Sequence, residues 1–226
     1  MSQPVLICRP GERGEALAAA LRERGENVES LNVMQLEALP ETPEMRRIWL
    51  DIDQYHKIIV ISPFAATCLS EALDRFWPQL PIGIDYYSVG SATAATLYDQ
   101  LGVRVHVPDL SAGEDTSEAL LALASLQQLA HQRILLVAGE GGRPLLAETL
   151  AERGALVTRA AVYRRRFQPL APTLQTRLSS GNYRALIVTS SELLEHLAKW
   201  CNQAALNQPL IVSSRRLATL AGILGF

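Results

Sequence analysis

Five turns in this chain gather small, hydroxyl-bearing and basic residues, and each follows a short apolar run. They are Ser62-Pro63 with Phe64, Gly90-Ser91-Ala92-Thr93, Gly139-Glu140-Gly141-Gly142-Arg143, Thr189-Ser190-Ser191 and Ser213-Ser214-Arg215-Arg216. Small side chains let a ligand approach the backbone, hydroxyls add hydrogen-bond donors, and arginine can grip a carboxylate through two parallel hydrogen bonds. If each turn opens a helix, unpaired N–H groups and the helix dipole add a preference for anions. The repetition predicts a polyanionic ligand. Single features also have plainer readings. Serine or threonine before a helix is commonly a cap, and Arg164-Arg165-Arg166 reads equally as a solvated strand end. Gly139–Arg143 lacks the Gly-Lys-Ser/Thr ending of a phosphate loop, which disfavours nucleotides. Tyr163 ends an apolar strand and could either pack there or present its hydroxyl to chemistry. With no Ser/His/Asp order and no carboxylate pair, an enzyme built this way would work by positioning and charge stabilisation.

The elements that must hold these turns are legible as periodic runs. Val5–Cys8, 58–61, 134–137, Ala185–Val188 and Leu210–Val212 are continuous apolar stretches, which suit parallel strands buried on both faces. Helical patterns follow over 15–24, 65–76, 92–100, 116–129, 145–153 and 192–199, with cap chemistry offered by Asp115-Thr116-Ser117-Glu118. The chain also repeats itself. Residues 4–34 align with 133–164, Lys57–Leu73 with Arg184–Trp200, and 87–103 with 210–226. The first copy continues past Gly102 with a strand and helix for which the second has no counterpart, so a final strand and helix look missing. Two Pro-containing stretches, 35–43 and 164–172, break the β–α rhythm and read as crossings between domains. The expected layout is an α/β domain from 1–36 with 170–226, a second from 37–169, and a ligand held by both.

Composition limits the alternatives. Hydrophobic residues make up 48% of 226, with no apolar run long enough to span a bilayer and no signal-peptide layout at the start. A cytoplasmic protein is expected, without a membrane partner. Three scattered cysteines suggest no disulfide framework, and four histidines form no metal-ligand spacing. A formal net charge of −2 argues against a broad nucleic-acid footprint.

The ordered set of motifs resembles the uroporphyrinogen-III synthase family. It comprises Ile7-Cys8-Arg9-Pro10, Ile59 through Ala66, Ser88 through Ala94, Gly139–Arg143, Ala161-Val162-Tyr163, Ile187 through Ser191, and Ile211 through Arg216. The resemblance covers essentially the whole chain. It implies two flavodoxin-like parallel-sheet domains joined by a two-stranded connector, and a cofactor-free, metal-free monomer. It implies hydroxymethylbilane as substrate, cyclised with loss of water and inversion of ring D to give uroporphyrinogen III. Tyr163 matches the tyrosine thought to assist loss of the terminal hydroxyl. Ser62, Thr93, Arg143 and Ser190 match positions associated with substrate, and Pro63, Phe64, Gly90, Ser91, Gly139, Ser191, Ser213 and Arg215 complete the expected binding set. Phe64 stands where many relatives carry a polar or basic residue, and Arg215-Arg216-Leu217 replaces a hydroxyl-rich turn. The alternative is a non-catalytic two-domain binding protein for a small polycarboxylate, which needs the same donors but no reactive tyrosine.

Overall fold

In a computed structural model the chain is described over residues 2–109 and 117–226. It divides into two compact units, Met1–Gln35 with Arg166–Phe226, and Leu36–Arg165. The first unit carries β1 (Val5–Cys8), α1 (Glu12–Glu23) and β2 (Val28–Ser30), then, late in the sequence, α7 (Pro172–Ser180), β9 (Ala185–Val188), α8 (Ser191–Ala198), α9 (Gln203–Leu206), β10 (Leu210–Val212) and α10 (Arg215–Leu224). Its strands lie in the order β10-β9-β1-β2, all parallel. Both faces are covered, which explains why the strands read as unbroken apolar runs. Leu6, Cys8, Leu186 and Val188 pack with α7 to α10, whereas Val5 and Ile7 pack with Ala18 of α1.

The second unit holds α2 (Pro43–Leu50), β4 (Lys57–Val60), α3 (Pro63–Phe76), β5 (Asp85–Ser88), α4 (Ser91–Leu101), β6 (Val105–His106), α5 (Ser117–Leu121), β7 (Arg133–Gly139) and α6 (Leu145–Glu152). Strands β3 (Met34–Ala38) and β8 (Leu156–Phe167) carry the chain across the unit boundaries. The sheet order is β3-β8-β7-β4-β5-β6. From β8 to β6 the pairings are parallel. The β3–β8 pair runs antiparallel, as Leu39 N–H donates to the Val162 carbonyl and Gln168 N–H to that of Val33. Ile58, Val60, Leu135 and Val137 face α2 and α3, and Ile59, Tyr87, Ile134 and Leu136 face α5 and α6. Each such fully buried side chain contributes about 1.5–3 kcal/mol.

The repeat seen in the sequence corresponds to strand position: β1 to β7, β2 to β8, β9 to β4 and β10 to β5. Several element boundaries differ from expectation. The helix expected over 116–129 ends at Leu121, and a 3-10 turn, Ala124–Leu126, follows it. Leu126 and Leu129 are still buried, so the apolar pattern reports a buried loop there and not a helix face. Residues Asp115 and Thr116 of the expected cap lie outside the described residues. After α1 the chain forms β2, which stops at Ser30, and Met34 begins β3. The first Pro-containing stretch is thus partly a hydrogen-bonded strand, and the helix α2 was not expected. Its start is set by Thr42, whose hydroxyl accepts from Met45 N–H, with Pro43 in the first turn. Among the described residues no helix is long and apolar enough to cross a membrane.

Candidate active site

Within the second unit the sheet has a switch point between β7 and β4. From there the chain leaves β4 through α3 on one face and β7 through α6 on the other. Ligands of open α/β sheets collect at the carboxyl ends of strands beside such a point. Ser62, Pro63 and Phe64 follow β4, and Gly139 ends β7 with Glu140 to Arg143 after it.

Tyr163 reaches this place through an irregularity in β8. The register of β7 on β8 pairs Ala138 with Ala161 but Gly139 with Tyr163, which leaves Val162 as the extra residue of a bulge. A bulge re-aims the side chain next to it. Val162 and Tyr163, successive in the chain, both join the core on the α3 side. The Tyr163 ring lies against Gly139 so closely that a Cβ there would come within 2.7 Å of ring atoms Cε2 and Cζ. Phe64 meets the same ring edge-on, with centroids 5.1 Å apart and planes at 66°. Ser62 Oγ donates to Tyr163 Oη at 3.0 Å while accepting the Ala65 N–H at 3.2 Å as the cap of α3. Two hydroxyls at this distance can exchange donor and acceptor roles, so Ser62 can donate to the phenol oxygen while the phenol donates outward. Tyr163 itself is 6% exposed and Ser62 is half-buried. Pro63 occupies the first turn of α3, where its missing N–H costs nothing.

The other expected residues are placed as follows. Gly90 caps α4 without a side chain, and its carbonyl accepts from buried Ser88 Oγ at 2.9 Å. Ser91 is exposed, and Thr93 is 3% exposed in the first turn of α4. Arg143 is turned to Glu118 at 2.6 Å, both side chains being largely exposed. Hydrogen bonding from Arg143, ahead of its charge, holds the Glu118 carboxyl below the usual range. In the first unit Ser190 caps α8 by accepting from Leu193 N–H at 3.2 Å, with Ser191 opening that helix. Ser213 Oγ donates to the Thr189 carbonyl at 3.2 Å, Ser214 caps α10, and Arg215 is exposed at its start. Within the second unit the structure therefore brings Ser62, Phe64, Gly139 and Tyr163 into one cluster.

Two residues here were missed from the sequence. Arg159, exposed on β8, donates to the carbonyls of Gly139 and Gly141, and Glu118 occupies Arg143. A charged residue inside an apolar strand run was the available signal for Arg159. The concavity of about 500 Å³ along α3 and α4 is lined by Glu71, Asp74, Trp77 and Leu80 among others, and contains none of the cluster. Its two carboxylates suit an anion poorly.

Comparisons with known proteins point to one family. A family profile described as "Uroporphyrinogen-III synthase HemD" matches residues 15–219. The uroporphyrinogen-III synthase of Salmonella typhimurium is 32% identical over 98% of this chain and 92% of its own length. The chain belongs to the uroporphyrinogen-III synthase family. The Escherichia coli synthase is 30% identical, with the same shares of each chain covered. Solved structures share the fold. A mutant of the Thermus thermophilus uroporphyrinogen III synthase matches with a TM-score of 0.62, at 23% identity over 98% of this chain and 89% of that one. The Helicobacter pylori synthetase matches with a TM-score of 0.63, at 14% identity over 99% and 90%.

Proposed function

We infer that this chain catalyses the uroporphyrinogen-III synthase reaction of tetrapyrrole biosynthesis, a water-eliminating lyase step. Hydroxymethylbilane loses the hydroxyl of ring A as water, leaving an azafulvenium cation. The substituted carbon of ring D attacks it, and the resulting spiro-pyrrolenine fragments and recloses with ring D inverted. Closure without a protein gives the type I isomer, so the protein's contribution is to select a conformation. Hydroxyl loss needs a proton donor, and the observation that carries the reading is the Ser62–Tyr163 pair. A buried phenol stands 3.0 Å from a serine hydroxyl at the carboxyl ends of the strands, where a proton donor is needed. Tyr163 donates to the departing hydroxyl. The eight carboxylates of the substrate call for donors of the kind carried at the turns 62–64, 90–93 and 139–143 of the second unit and 190–191 and 213–215 of the first. Arg143 serves them only by leaving Glu118.

The strand order of the first unit follows the first four places of the flavodoxin order, and that of the second unit, counted from β7, follows all five. This supports two flavodoxin-like domains with β3 and β8 as the two-stranded connector. On this reading the protein is a cytoplasmic monomer that needs no cofactor. The test is a coupled assay with hydroxymethylbilane in which oxidised products are resolved into type I and type III isomers. Predominant type III product is the expected result, and type I alone would refute the assignment.

A further inference from the structure

Arg159 lies four residues before Tyr163 on the same strand, and the chemistry just described does not use it. Its guanidinium nitrogen Nη2 donates to the Gly139 carbonyl at 3.2 Å and to the Gly141 carbonyl. Both acceptors belong to the turn between β7 and α6, in which Gly141 and Gly142 have φ of 72° and 83°. Only glycine adopts such angles readily, so nothing in the turn's own side chains fixes its shape.

Peptide planarity turns this clasp into a statement about donors. In a trans peptide the C=O and the following N–H point in opposite directions. With the Gly139 carbonyl held by Arg159, Glu140 N–H must point away from it, and it does, donating to the Tyr163 carbonyl at 2.8 Å. With the Gly141 carbonyl held, Gly142 N–H likewise points away from Arg159. It meets no acceptor among the described residues.

We propose that Arg159 is a positioning residue for substrate binding, which clasps the 139–142 turn so that the Gly142 amide is presented to a carboxylate of the substrate. This deepens the functional reading above and rests on it. The guanidinium does not touch the ligand on this account. It fixes the peptide that does.

The experiment is steady-state kinetics of the full chain with hydroxymethylbilane, type III product being quantified for wild type, Arg159→Ala and Arg159→Lys, with Tm measured for each. Arg159→Ala should raise KM about tenfold, the scale of one hydrogen bond to a charged group, with kcat within about twofold and Tm within a few degrees. Arg159→Lys, which keeps one donor, should fall between. Guanidinium at millimolar concentration should lower KM for Arg159→Ala and leave wild type unmoved. A KM unchanged in Arg159→Ala, or a fall in kcat at constant KM, overturns the role of Arg159 alone. If Arg159→Ala fails to fold, an unchanged KM in Arg159→Lys does the same. Wild type that makes only type I isomer refutes the function, and with it this inference.

Discussion

Replacing Gly139 by alanine adds one methyl group at the floor of the site, and the structure fixes where it would land. The new Cβ would lie 2.7 Å from Cε2 and Cζ of Tyr163 and 3.2 Å from its Oη, where ordinary contacts are 3.4–4 Å. Gly139 has no positive φ, so the backbone accepts alanine and the effect must fall on the ring. The tyrosine has to withdraw by ~1 Å, and a misplacement of that size can cost on the order of a hundredfold in rate. Phe64 limits the escape on one side, and a 3.0 Å bond to Ser62 stretched by ~1 Å is no longer a hydrogen bond. The expected outcome in the isomer-resolved assay is a kcat reduced about ten- to a hundredfold with KM nearly constant. Tm should fall by a few degrees, because overpacking costs about 1–3 kcal/mol. Tyr163→Phe/Gly139→Ala should lose much less than the sum of its parts, as both changes disable one group. Wild-type turnover in Gly139→Ala would refute the argument, as would strict additivity in the double variant.

Tyr163→Phe removes the phenolic proton and should lower kcat at least about tenfold while circular dichroism and Tm show the fold intact. Ser62→Ala removes both the cap of α3 and the bond to Tyr163. Tm should drop by the worth of a cap, about 1 kcal/mol, and kcat should fall while Ser62→Thr recovers part of it. Glu118→Gln should lower KM by releasing Arg143, whereas Arg143→Ala should raise it. Because the Glu118 pKa is lowered, its pairing is complete above the unfolded value of about 4.3 and is lost as pH falls through the folded value. Burial pushes the Cys8 thiol up to about 12 and that of Cys201 up to about 11. Raised values favour the folded state below the unfolded thiol pKa of about 8.5, and this contribution declines as pH rises beyond it. Tm measured from pH 8 to 10.5 should therefore fall, and less steeply in Cys8→Ala. Equal slopes would exclude the thiol as a source.

What could be read in the sequence followed from the constraint that produced it. Strands buried on both faces must be apolar throughout, so Val5–Cys8 and Ala185–Val188 are visible as runs, and repeated runs expose repeated modules. Serines at 62, 190 and 214 announce helix starts because a cap is a local interaction. The Ser62–Tyr163 contact is not local, for it depends on a bulge that changes which way one side chain points. No residue type in Ala161-Val162-Tyr163 encodes that. The Arg159 clasp was hidden for the same reason, since its partners are backbone carbonyls twenty residues earlier or less. Helix α2 and its counterpart α7 both lie just after the Pro-containing stretches, whose prolines read as connectors and masked the helices that follow.

The sequence of the second unit interrupts that of the first, which has a consequence for biosynthesis. Strand β1 is the centre of its sheet and needs β9 beside it, with Val5 opposite Ala185. While the ribosome is still extending the chain, Leu36–Arg165 emerges as an unbroken stretch with every partner it requires. The first strand must wait, with one edge unpaired, until that stretch has passed and the last quarter or so of the protein arrives. Nascent chains of this topology complete their inner unit before their outer one, and the interval between the two is when they are exposed to mispairing and most dependent on chaperones.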